Sequence, residues 1–173
     1  MSKKKIMINY GQDKTYKKLL EEHLQFCKIN NLSPSTIKTY TISNNYFLKF
    51  IGEDTLCSEI TPQLIGEYKL YLFEKNLSGT SVNTYINNIS PTINYGEKLG
   101  YINKIEFRQV KAEEKIKNIY NNDELKILLA KPNLKKCSFF TLRSWVIVNT
   151  LLSTGIRANE LRNIKIKDID LVN

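Results

Sequence analysis

Apolar residues recur along the first hundred positions at spacings of three and four, the period of helices that bury one face. Tyr16, Leu19, Leu20, Leu24 (or His23), Phe26 and Cys27 predict a first helix over 13–30. Asn30-Asn31-Leu32 breaks the pattern. Ser33-Pro34 restarts it, a capping hydroxyl followed by proline in the first turn. Ile37, Tyr40, Phe47, Leu48 and Ile51 carry a second helix to Gly52-Glu53-Asp54. Thr61-Pro62 repeats the start signal, and Leu64, Ile65, Tyr68 and Leu72 carry a third helix to Asn76. A fourth begins at Ser78-Gly79-Thr80, with Val82, Tyr85, Ile86, Ile89 and Ile93 on one face. Pro91 falls inside it and is expected to kink or restart it.

Beyond Gly100-Tyr101-Ile102-Asn103 the periodicity weakens. Residues 105–118 are rich in charge and read as a partly extended linker. Asn121-Asn122-Asp123-Glu124 then caps a helix that Lys131-Pro132 stops. Residues 138–153 are apolar almost without interruption, which predicts a helix buried on most sides. Gly155 suits the left-handed residue that ends it. Thr154, or Ser153, is then the expected cap of the next helix, with Arg157 in its first turn. Ile166, Ile169 and Leu171 partly alternate with charged residues, so a strand or turn is expected there. The chain thus divides into a basic arm (1–12), a four-helix domain (13–104), a linker (105–118) and a second segment (119–173).

Charge adds a partner class. Twenty-six Lys and Arg against 17 Asp and Glu give +9. The excess is spread, +4 over residues 1–104 and +5 over 105–173, which suits a long polyanion better than one local acidic ligand. Cys27, Cys57 and Cys137 are odd in number and lack metal-ligand spacing. Free thiols in a reducing cytoplasm are expected. No apolar run reaches membrane-spanning length, and the start of the chain is not a secretory signal.

The outer faces of two helices stand out. The fourth presents Thr80, Ser81, Asn83, Thr84, Asn87 and Asn88, and the second presents Ser35, Thr36, Lys38, Thr39, Thr41 and Asn45. Short hydrogen-bonding side chains are poor helix formers, so propensity does not explain them. They suit close approach to a nucleic-acid backbone or to base edges. A sequence rich in Asn, Lys and Ile supplies such faces by composition alone, and both readings stand at this point. Arg108, Lys111, Lys115 and Lys117 either follow a phosphate backbone or solvate a linker. Arg157 either holds a phosphate at a helix start or is a surface arginine at a helical corner.

Two regions together resemble the tyrosine recombinase (phage integrase) family. Leu152-Ser153-Thr154-Gly155-Ile156-Arg157-Ala158-Asn159-Glu160-Leu161, followed by Ile164-Lys165 and Asp168-Ile169-Asp170, is similar to its first conserved box. Leu32-Ser33-Pro34-Ser35-Thr36-Ile37-Lys38-Thr39-Tyr40, with Ser78-Gly79-Thr80-Ser81-Val82-Asn83, is similar to its SAM-like core-binding domain. The resemblance implies a mainly α chain: a four-helix SAM-like domain, a linker, and the first helices of an α+β catalytic domain. It implies double-stranded DNA as partner, met by the second and fourth helices and the linker. The residues expected to meet it are Ser35, Thr36, Lys38, Thr39, Thr80, Asn83, Thr84, Asn87, Arg108 and Lys111. Arg157 matches the first catalytic arginine. Glu160 matches an acid that either supports the arginine helix or is a plain surface carboxylate. The full enzyme would join DNA through a 3′-phosphotyrosine, as a homo-oligomer on DNA, without metal or cofactor.

The departures are as definite. The only histidine, His23, supplies no His-x-x-Arg box and is expected at the surface or core edge. All ten tyrosines stand at or before Tyr120, upstream of Arg157, so none matches the nucleophile. These 173 residues are therefore expected to bind DNA without cleaving it. A non-enzymatic DNA-binding protein, a truncated relic or a competitor at recombination sites, is the alternative.

Overall fold

Hydroxyl side chains start each of the first four helices. Thr15, Ser33, Thr61 and Ser78 accept the backbone N–H groups of Lys18, Thr36, Leu64 and Ser81, satisfying donors with no partner inside the helix. The computed structural model describes residues 14–112 and 118–169. The helices are α1 (Tyr16–Ile29), α2 (Pro34–Ile51), α3 (Pro62–Glu74), α4 (Gly79–Lys98), α5 (Asn122–Leu129), α6 (Phe139–Thr154) and α7 (Ala158–Asn163). Short 3₁₀ turns cover Cys57–Glu59 and Ile166–Asp168. Among the described residues there is no strand, only a single bridge between Thr15 and Leu56. The chain divides into two compact units, residues 1–114 and 115–173.

In the first unit α4 is the central helix, packing on α1, α2 and α3. Its inner face, Val82, Ile86, Ile89 and Ile93, is fully buried with Tyr16 and Leu19 of α1, Phe47 of α2, and Tyr68 and Leu72 of α3. Phe47 binds the aromatic centre edge-on, 5.2 Å from Tyr16 and 4.8 Å from Tyr68 between ring centroids. Each such side chain contributes about 1.5–3 kcal/mol of burial free energy. Gly96 lies where α4 meets α1: a Cβ there would stand 2.7 Å from Leu19 Cδ2 and 3.0 Å from Ile102 Cδ1.

Four sequence expectations meet the structure in this unit. Pro91 does not restart α4, which is one helix from Gly79 to Lys98. The carbonyl of Asn87, which a prolyl nitrogen cannot serve, accepts the Ser90 hydroxyl at 3.1 Å. His23, expected at the surface or core edge, takes the second place: it is buried beside the core. Its Nδ1 lies 3.0 Å from Thr92 Oγ1 and its Nε2 lies 3.4 Å from Cys27 Sγ. Phe26, placed on the apolar face by spacing, is instead exposed. Residues 105–112, read as the start of a partly extended linker, have no regular secondary structure and lie on the unit's own core. Ile105 is buried, and Phe107 and Val110 pack against the core cluster.

In the second unit α5 begins on Asn121, whose side chain accepts from Asp123 N and Glu124 N. Trp145 Nε1 of α6 donates to Leu129 O of α5 at 2.9 Å. The expected burial of α6 on most sides is corrected: none of its residues is buried, and Phe139, Phe140, Val146 and Leu152 are exposed. An all-round apolar helix needs neighbours all round. Among the described residues its main neighbour is the eight-residue α5. The basic arm, Lys115, Lys117 and Leu171 lie outside the described residues, so the expectations for them find no counterpart here.

Candidate nucleic-acid interface

The contact between α2 and α4 is polar at its centre. Asn88 Nδ2 donates to Ser43 Oγ at 3.1 Å, and Asn44 Nδ2 donates to Tyr40 O at 2.8 Å and to Asn88 O at 3.4 Å. Ser43 and Asn44 are buried. Asn88, grouped by its residue type with the outer face of the fourth helix, therefore belongs to the contact between the helices. Tyr46 and Tyr85 meet across the same contact with centroids 5.2 Å apart. These partly buried bonds favour one relative rotation of the two helices, because a turn of either would strand polar groups of the buried Ser43 and Asn44.

That rotation leaves a defined set outside. Ser35, Lys38 and Thr39 of α2 are exposed, as are Thr80, Thr84 and Asn87 of α4, and Thr36 is half-buried. Several hydroxyls are already oriented. Thr39 donates to Ser35 O and Thr84 to Thr80 O, both at 2.9 Å. Ser35 and Thr36 each lie within 2.9 Å of the Ser33 hydroxyl. A hydroxyl whose hydrogen is committed to its own helix turns lone pairs outward and keeps a small, flat profile. Lys38 adds the formal positive charge on this face.

Asn83 differs from its neighbours. Its Nδ2 donates to Val110 O and its Oδ1 accepts Val110 N–H, both at 2.9 Å. One N–H and one lone pair of the amide hold the chain at residue 110, which ties this expected DNA-facing residue to the 105–112 segment. Arg108 and Lys111, on the same segment, are exposed.

The Arg157 corner belongs to the second unit. Gly155 closes α6 in the left-handed region, at φ 64°, with its N–H bonded to Leu151 O at 3.0 Å. Thr154 does not cap α7. It lies in the last turn of α6 and donates to Thr150 O at 2.5 Å. Arg157 itself is the N-cap, three residues beyond the cap expected at Thr154. Glu160 Oε2 accepts the Arg157 backbone N–H at 3.0 Å, and Glu160 Oε1 accepts Nη1 at 3.1 Å. The carboxylate thereby orients the arginine from both ends, while the arginine side chain stays 85% exposed and open to a phosphate.

Sequence reasoning misses Tyr46, Tyr85, Ser43 and Asn44 as parts of this interface. The signal for the two tyrosines is visible in hindsight: each sits on the flank between an apolar and a polar helix face.

A family model, the phage integrase SAM-like domain, matches residues 5–116. The chain belongs to that family. The match spans most of the chain and coincides closely with the first unit. Relatives extend the likeness past the SAM-like domain. "Tyrosine recombinase XerD" of Staphylococcus aureus is 26% identical over 160 residues, covering 89% of this chain and 54% of its own. "Tyrosine recombinase XerC" of Oceanobacillus iheyensis is 27% identical over 154 residues, covering 86% and 49%. The chain spans about half the length of the curated relatives it matches. A solved structure, "Crystal structure of XerA recombinase", is 26% identical and covers 90% of this chain and 52% of its own, with a TM-score of 0.44. Among the described residues no group of three His, Cys, Asp or Glu could hold a metal ion, and no helix is long and apolar enough to cross a membrane.

Proposed function

We propose that this chain binds double-stranded DNA through the outer faces of α2 and α4, as part of a site-specific tyrosine recombinase acting in the cytoplasm. Residues 13–104 are the core-binding domain. The region 105–118 joins it to the leading part of a catalytic domain, 119–173. The observation that carries the reading is the SAM-like match over residues 5–116, on a unit whose two exposed small-polar faces are locked in register by a buried network.

Each group then has a role. Ser35, Thr36, Thr39, Thr80, Thr84 and Asn87 offer short acceptors and donors to phosphate and sugar, letting the helices come close to the backbone. Lys38 supplies charge that releases counterions. Arg157, oriented by Glu160, grips the non-bridging oxygens of the reacting phosphate and opposes the charge that builds on them in the transition state. In the full-length enzyme a tyrosine attacks that phosphate, forms a 3′-phosphotyrosyl link and releases a 5′ hydroxyl, with several copies assembled on DNA. The chemistry needs no metal or small-molecule cofactor.

The test is duplex binding by the 173-residue chain, read by fluorescence anisotropy from low to moderate salt. Affinity that falls linearly on logarithmic axes supports the reading. Failure to bind any duplex at low salt would overturn it.

A further inference from the structure

Residues 105–112 have no regular secondary structure, yet two helices hold their backbone at named points. Lys69 Nζ of α3 donates to Arg108 O at 2.5 Å. Asn83 of α4 pairs with both backbone groups of Val110, as a neighbouring strand would. Gly79 at the start of α4 lets the chain pass in contact: a Cβ there would stand 2.9 Å from Lys111 O and 3.2 Å from Ala112 Cα. Ile105 is buried and Val110 packs on the core cluster. Glu106, Arg108, Gln109 and Lys111 of this strap are exposed, and among the described residues neither cation is held in an ion pair.

The arrangement is asymmetric. The carbonyls of Arg108 and Lys111 face the helices, one bonded and one in tight contact, while both cations are left to solvent. Lys111 is also set beside Gly79, next to Thr80 on the outer face of α4. An unstructured segment carrying two cations would lose backbone freedom each time it met a polyanion. Here that freedom is already lost on folding, so the cations are preorganised.

We propose that Asn83 and Gly79 are positioning residues. They fix the 105–112 strap as a preset extension of the α4 face and so deliver Arg108 and Lys111 to the phosphate backbone. This rests on the DNA-binding reading above. Asn83 acts through the strap and not by touching DNA.

The experiment uses the 173-residue chain and a fluorescein-labelled duplex, titrated across a salt series. Arg108→Ala with Lys111→Ala should make the slope of log affinity against log salt shallower by about two, one phosphate contact for each cation. Asn83→Leu removes both bonds to Val110 at similar volume. Gly79→Ala keeps or improves helix propensity but collides with the Lys111 carbonyl. Each single variant should lose affinity by roughly threefold to tenfold and flatten the slope in the same direction. In the background lacking both cations, neither should add a further loss. Hydrogen exchange at the Val110 amide should speed up in Asn83→Leu, reporting release of the strap.

Faster Val110 exchange with unchanged affinity and slope would overturn the proposal. So would an Asn83→Leu loss that persists in full without the two cations. If Asn83→Leu does not fold, Gly79→Ala carries the same comparison. Absence of duplex binding by the unmodified chain removes the DNA-binding reading and this proposal together. Normal binding with an inert strap removes this proposal alone.

Discussion

The hydroxyl of Tyr16 donates to Asn44 Oδ1 at 2.5 Å, joining two fully buried side chains 28 residues apart. Burial holds the Tyr16 phenol well above its ordinary pKa, so it stays a donor at any physiological pH. Asn44 then uses its amide hydrogens on Tyr40 O and Asn88 O. One side chain thus ties α1, α2 and α4 together and sets the α2–α4 contact on which the proposed interface depends. Tyr16→Phe should cost about 1–2 kcal/mol, because it leaves Asn44 Oδ1 buried without its donor. Asn44→Ala should cost about 2–4 kcal/mol, since it strands several groups and opens a cavity. Urea denaturation checks both. The double variant should cost less than the sum, as expected of directly bonded partners.

His23 predicts a pH dependence. Burial lowers its pKa below the usual histidine value, and it faces Thr92, Cys27, Tyr40 and Tyr95, with no carboxylate among these neighbours. The nearby Cys27 thiol is pushed up by burial and stays neutral. The unfolded chain therefore takes up a proton at higher pH than the folded one. Stability from this group is complete above the unfolded pKa of about 6.5 and declines as pH falls from there through the folded value. Since His23 is the only histidine, urea midpoints between pH 7 and pH 5 isolate it. The midpoint should drop in the unmodified chain and drop less in His23→Gln. Equal slopes in the two proteins would contradict this assignment.

Gly96 is a site where a better helix former should destabilise. Alanine normally stabilises a helix interior relative to glycine by about 1 kcal/mol. Here its methyl would meet the ends of Leu19 and Ile102, both buried and unable to swing into open space. Gly96→Ala should cost about 1–3 kcal/mol net of that gain, seen as a lower melting temperature.

What was legible in the sequence was local. Ser33-Pro34, Thr61-Pro62 and Ser78-Gly79 begin helices because a capping hydroxyl and the residues beside it suffice. Gly155 ends α6 for an equally local reason. What was not legible depended on partners far along the chain. His23 is bonded to Thr92, 69 residues later, and Asn83 to Val110, 27 residues on. The Arg157 corner was readable as a motif, but not its cap. Glu160 takes the Arg157 backbone N–H that a cap at Thr154 would have taken, and the helix starts three residues later.

Arg157 and Glu160 should separate binding from stability. Their pair is exposed, so Glu160→Gln should change folding stability by less than about 0.5 kcal/mol. Arg157→Ala should likewise leave the melting temperature unchanged while weakening duplex binding slightly and flattening the salt slope by about one. A large stability loss in either variant would show that the corner is structural.

The most direct test of the central claim is the salt dependence of duplex binding by the 173-residue chain, compared with Lys38→Ala. Binding should weaken linearly on logarithmic axes as salt rises, and Lys38→Ala should bind more weakly with a slope shallower by about one. Binding indifferent to salt, or a Lys38→Ala titration that superimposes on the unmodified chain, would contradict an interface on α2 and α4.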